Sequence, residues 1–191
     1  MKKILILYKS KYGASKQYGE LLKKELDSTV MNIKDYHPGD EKSYDVIIFV
    51  SGIYAGNITI VKEVKKYFAN FKDKKKIIFA VGLSKKDSAL LEEIERQNLS
   101  GDLNNIDLFY GRGNYDESKL SFVDRTLCKT MKKVLKNKDR DSLEPTMKAL
   151  LEIEGQKVNY VDNHYLIPLL ELIKSMVYSV YLLLLCNFII L

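Results

Sequence analysis

Five short apolar runs, alternating with stretches of helical spacing, constrain this chain more than any other feature. Ile4–Tyr8, Thr29–Ile33, Asp45–Val50, Ile77–Val81 and Ile106–Tyr110 are rich in β-branched and aromatic residues and predict strands. Ile4–Tyr8 is a continuous apolar run, as expected of a strand buried on both faces. Ser15–Leu26 puts Tyr18, Leu21, Leu22 and Leu26 on one helical face. Ile60–Phe71 repeats the pattern through Val61, Val64, Tyr67 and Phe68, and Ser88–Gln97 predicts a third helix. Such alternation argues an α/β fold: a doubly wound parallel sheet with helices on both faces. In that architecture ligands bind outside the carboxyl ends of the strands, so the residues just after each strand matter most.

Beyond Gly113 the pattern turns helical. Leu120–Leu135 reads as one long helix and Leu143–Ile153 as another, with Pro145 in its first turn and Gly155 at its end. Asp162 is placed to cap a last helix from Asn163 onward. At 191 residues, 46% hydrophobic and 29% charged, the chain suits one domain with a sizeable core. The net charge of +6 permits anionic partners without demanding them. Lysines are interleaved with acids and no nucleic-acid motif appears, so nucleic acid is not an expected partner. Two cysteines, Cys128 and Cys186, and two histidines, His37 and His164, supply neither a disulfide scaffold nor a zinc site, and a reducing cytoplasm is the default setting. Cys128 reads as packed inside a helix, and His37 as a solvated turn residue in Tyr36-His37-Pro38-Gly39. The apolar run after Lys2 and Lys3 is too short for a signal peptide.

Four strand ends carry the chemistry. The first loop is Ser10-Lys11-Tyr12-Gly13-Ala14-Ser15. Its hydroxyls, glycine and following helix suit a phosphate, held by backbone N–H groups with help from Ser10 and Ser15. An ordinary turn with Ser15 as helix N-cap fits the same residues. Neither GxxxxGK[ST] nor GxGxxG is present. The third strand leads into Ser51-Gly52-Ile53-Tyr54-Ala55-Gly56-Asn57, where two glycines allow close approach of a flat ligand and Tyr54 can stack on it. The fourth strand ends at Gly82-Leu83-Ser84 and the fifth at Tyr110-Gly111-Arg112-Gly113-Asn114-Tyr115. One composite crevice accounts for all four.

This constellation resembles the flavodoxin superfamily. Ser10, Gly13 and Ser15 match the hydroxyl, glycine and hydroxyl of that family's T-x-T-G-x-T phosphate loop, while Tyr12 replaces the middle threonine. The resemblance implies a five-stranded sheet in the order 2-1-3-4-5 and FMN as cofactor. It implies the phosphate at Ser10–Ser15, with weaker affinity because of Tyr12. The flavin ring would lie between Ser51–Asn57 and Gly82–Ser84. Tyr110-Gly111-Arg112-Gly113 followed by Leu120-Ser121-Phe122-Val123-Asp124-Arg125 is similar to the segment after strand five in flavodoxin-like, quinone-dependent protoporphyrinogen oxidases. That likeness covers residues 1–136 and implies an FMN-dependent oxidoreductase passing electrons from a small donor to a quinone. An electron carrier between proteins and a flavin-free binding module are the alternatives; the positive net charge disfavours the carrier, since the family's carriers are strongly acidic. Taken alone, Asp124 and Arg125 read as a surface ion pair on a helix, and Leu120, Phe122 and Val123 as core or partner-facing. No catalytic side chain is assigned.

The expected division is a domain over 1–174 and an apolar tail over 175–191, which contains no charged residue. A helix over that tail would be about 25 Å long, just under the roughly 30 Å hydrocarbon core of a bilayer. A buried last helix, a peripheral membrane contact and a homo-oligomer contact all fit it, and Ile167–Ile173 already supplies a closing helix.

Overall fold

The computed structural model describes residues 2–143, 145–153 and 155–176. Strands β1 (Ile4–Lys9), β2 (Ser28–Asn32) and β3 (Val46–Tyr54) come first, with α1 (Ala14–Glu25) between β1 and β2. A two-residue strand β4 (Asn57–Ile58), α2 (Val61–Lys66), β5 (Lys75–Gly82), α3 (Ser88–Asn98) and β6 (Asp107–Arg112) follow. β2-β1-β3-β5-β6 form the parallel sheet, and β4 folds back antiparallel on the end of β3. Leaving out that hairpin, the order is the expected 2-1-3-4-5.

The two faces of the sheet follow from the period-two alternation of each strand. Leu5, Leu7, Ile47, Phe49 and Ile78 pack with Val64, Phe71, Leu90 and Ile94 beneath α2 and α3. Ile4, Ile6, Ile48, Val50 and Phe79 pack with Tyr18 and Leu22 of α1 and with Leu166, Leu169 and Ile173. The last three lie on a turn, Asn163–Leu166, and on helix α6 over 167–176. Asp162 caps that turn as expected, accepting from the His164 N–H at 2.8 Å. Each fully buried aliphatic side chain contributes about 1.5–3 kcal/mol.

The expected helix over Ile60–Phe71 is split. α2 stops at Lys66 and a 3-10 turn covers Phe68–Phe71. The tighter turn seats Tyr67 and Phe71 against Tyr36, with ring centroids 5.1 and 5.4 Å apart. Between β6 and α6 the chain makes an excursion. β7 (Asn114–Asp116), α4 (Phe122–Leu135), α5 (Pro145–Glu152) and β8 (Lys157–Asn159) form it, with β7 and β8 paired antiparallel at its neck. Tyr160 N–H donates to the Gly113 carbonyl at 3.0 Å, and the Arg112 guanidinium lies 3.6 Å over the Tyr160 ring. The excursion therefore leaves and rejoins the fold at one point beside the strand ends. Among the described residues no helix is long and apolar enough to cross a membrane. Of the apolar tail, residues 177–191 lie outside the described residues.

Candidate flavin site

The β1–α1 loop is shaped by Gly13. Its φ of 97° lies in the left-handed region, which favours glycine. Helix α1 begins at Ala14, so Ser15 is its second residue and not its cap. No side chain caps this helix and its first turn holds no acid. Helix geometry leaves the first-turn N–H groups without intrahelical acceptors, and the positive end of the helix dipole points the same way. Ser10 Oγ accepts from the Gly13 N–H at 3.0 Å, which closes the loop. This donor set fits a phosphate monoester.

The segment after the third strand is a continuation of that strand. β3 runs through Tyr54, turns at Ala55 and Gly56 with φ of 49° and 77°, and returns as β4. Two successive positive φ angles match the right-handed twist of a hairpin. Asn98 of α3 fixes the hairpin, accepting from the Ile58 N–H at 2.7 Å and donating to the Gly56 carbonyl at 2.9 Å. Ser51 is buried in β3, and its Oγ accepts from the Ile60 N–H at 3.2 Å. At the end of β5, a Cβ on Gly82 would stand 2.6 Å from the Tyr110 Oη. That tyrosine donates to the Ser84 carbonyl at 2.9 Å, holding the turn, and Arg112 Nε donates to the Leu83 carbonyl at 2.9 Å. The segment expected as the fifth turn is also extended: β6 continues to Arg112 and β7 starts at Asn114.

These segments enclose one cavity of about 960 Å³. Ser10, Lys11, Tyr12, Ala14 and Ser15 line it from the first loop, Gly52, Ile53, Tyr54, Ala55, Gly56 and Asn57 from the hairpin, and Gly82, Leu83 and Ser84 from the β5 turn. Gly13 and Ser51 are not on its wall; they shape the loop and the hairpin behind it. The excursion supplies a roof that the sequence reading did not include: Leu127, Cys128 and Met131 of α4, and Met147 and Leu150 of α5. Of the residues read as core or partner-facing, Leu120 is buried, whereas Phe122 and Val123 are exposed.

Asp124 joins the roof to the floor. It is only 3% exposed. Its carboxylate pairs with Lys11 Nζ at 2.5 Å, accepts from Tyr54 Oη at 3.0 Å and accepts from Tyr12 Oη. Ser121 caps α4, its Oγ accepting the Asp124 N–H at 3.2 Å. The Lys11 ammonium, then the Tyr12 hydroxyl, hold the Asp124 carboxyl down to about 2. Reciprocally the Asp124 contact raises Lys11. Burial, then donation to Asp124, raises the Tyr54 phenol, and burial raises the Cys128 thiol. Asp124 is thus no surface partner of Arg125. Arg125 donates instead to the carbonyls of Glu117, Ser118 and Leu120. Tyr12 turns its hydroxyl to Asp124, and it packs against the small cluster of Tyr115, Leu120 and Ile153.

A model of the flavodoxin domain family matches residues 5–142. The chain belongs to the flavodoxin domain family. Membership points to flavin-binding redox or electron-carrier function. Two solved structures are similar to this flavodoxin-domain chain. One is a flavodoxin from the domain Archaea, at 15% identity over 78% of this chain and 96% of that one, with a TM-score of 0.36. The other is the Trp repressor binding protein from Bacillus subtilis, at 14% identity over 60% and 88%, with a TM-score of 0.35. None of the curated proteins compared with the chain matches it.

The residues present fit FMN. An uncapped, acid-free helix N-terminus suits its phosphate, Lys11 balances the charge of Asp124, and a cavity of this size with Tyr54 and apolar walls suits a flat ring.

Proposed function

We propose that this flavodoxin-domain protein is an FMN-dependent oxidoreductase that passes electrons from a small donor to a quinone or other acceptor beneath the α4–α5 roof. The observation that carries this reading is the roof itself. An electron carrier exchanges electrons with another protein and needs its redox group near the surface, whereas here Leu127, Met131, Met147 and Leu150 add an apolar wall to the cavity at the strand ends. When bound, FMN supplies the redox chemistry. Ser10, Ser15 and the backbone of Lys11–Ala14 hold its phosphate. Gly52–Asn57 and Gly82–Ser84 flank the ring, with Tyr54 as the stacking aromatic. The apolar side chains of α4 and α5 along the cavity favour a planar partner, for which a quinone acceptor is the natural class. Protoporphyrinogen is the donor suggested by the likeness of Tyr110–Gly113 and Leu120–Arg125. The 175–191 tail is read as a unit apart from the 1–174 domain, making a bilayer or homo-oligomer contact.

The test is anaerobic turnover by FMN-loaded, full-length protein with protoporphyrinogen and a soluble quinone. Quinone reduction that tracks donor oxidation supports the reading. An FMN-loaded protein that reduces no quinone but exchanges electrons with a redox protein is a carrier. A chain that ignores FMN is a binding module.

A further inference from the structure

Helix α4 has two functional sides. Its inner side carries Asp124, Cys128, Met131 and Leu135 toward the cavity and the core of the excursion. Its outer side is built from Phe122, Val123, Thr126, Lys129, Lys133 and Val134. Phe122 is 82% exposed, Val123 70% and Val134 53%. The single acid of the helix, Asp124, is turned inward, so this outer side holds no acid at all. Beside it lies a concavity of about 350 Å³ lined by Glu117, Lys129, Lys132, Lys133 and Lys136.

We propose that the outer side of α4 docks on an anionic phospholipid bilayer and seats the roofed cavity at the membrane surface. Three observations favour a bilayer over a protein. Large apolar side chains beside lysines, with no acid between them, are the pattern of helices that lie in the membrane interface. Cores of protein interfaces are instead depleted in lysine and enriched in arginine and aromatics, of which this side has Phe122 alone. The face also offers little directional hydrogen bonding: the Thr126 hydroxyl already donates to the Phe122 carbonyl at 2.9 Å. In the concavity Lys132 is buried and paired with Glu117 at 3.4 Å, while the exposed Lys129 and Lys133 suit a headgroup phosphate, and the net charge of +6 adds attraction to an anionic surface. Phe122 and Val123 sit at the end of α4 next to the Asp124 contacts, so docking there brings the rim of an apolar cavity to the bilayer. The inference stands on this surface and does not depend on FMN.

The experiment is flotation of the full-length protein with vesicles of phosphatidylcholine alone or doped with phosphatidylglycerol. The expected result is partition to the anionic vesicles, weakened by salt. The pairs Phe122→Ser with Val123→Ser, and Lys129→Glu with Lys133→Glu, should each lower partition roughly tenfold or more. Unchanged melting temperatures verify that these exposed substitutions leave the fold intact. Absence of binding overturns the proposal. So does binding that neither pair of substitutions alters, which assigns it to another surface such as the tail. A soluble dimer abolished by the first pair, without vesicle binding, marks a self-association face and overturns it as well.

Discussion

At Asp124 one carboxylate meets an ammonium and two phenols from segments 70 to 113 residues away in sequence. Charge-assisted hydrogen bonds to a buried acceptor are each worth more than neutral ones. Asp124→Asn should cost about 2 kcal/mol, read as a fall of roughly 4–8 °C in melting temperature. The pH dependence has a definite sign. Because the folded carboxyl titrates at about 2, below its ordinary 3.8, its contribution is complete above about pH 5. It is lost as pH falls from about 4 to 2. Acid melts of the wild type should therefore lose more stability across that window than those of Asp124→Asn. Local sequence hides this contact. It sets Asp124 beside Arg125 and gives no sign that Tyr12 and Tyr54 arrive opposite it. Tyr12, read as a lost phosphate hydroxyl, has its hydroxyl committed to Asp124.

Elements with a strong period are legible in the sequence, and those defined by three-dimensional pairing are not. β1, β3 and β5 stand out because each holds a continuous apolar run; β2, Ser-Thr-Val-Met-Asn, is marked only by its β-branched residues. β7 and β8 are three-residue segments, Asn-Tyr-Asp and Lys-Val-Asn, with too little apolar character to register. The β3–β4 hairpin is masked because its turn is Ala-Gly, without the Asn-Gly or Asp-Gly that signals one. The start of α1 is displaced from Ser15 because the positive φ of Gly13 begins the helix earlier. α4 was visible as a helix, but periodicity alone cannot distinguish a core face from a cavity roof. Its placement depends on the Ser121 cap at its first turn. Ser121→Ala should cost about 1 kcal/mol. The loss should be local, with faster amide exchange at the start of α4 and unchanged protection in β1, β3 and β5.

On the scale of the whole molecule, right-handed crossovers leave few topologies, and the order 2-1-3-4-5 that the flavodoxin resemblance implies is the one the sheet has. The return of the chain over the strand ends was not legible, because it rests on the neck formed by Gly113, Tyr160 and Arg112. The result is a flavodoxin-type sheet whose ligand end is walled on one side by α4 and α5. A ligand that binds only the folded state raises stability by mass action. FMN at about one hundred times its Kd should add about 2.7 kcal/mol, a rise of roughly 5–11 °C in melting temperature. The most direct measurement is an equilibrium titration of FMN into the purified full-length protein, followed by visible absorption and flavin fluorescence. One-site saturation with shifted bands and altered fluorescence is the predicted result. A free-FMN spectrum at every protein concentration would contradict the assignment of these strand ends as a flavin site.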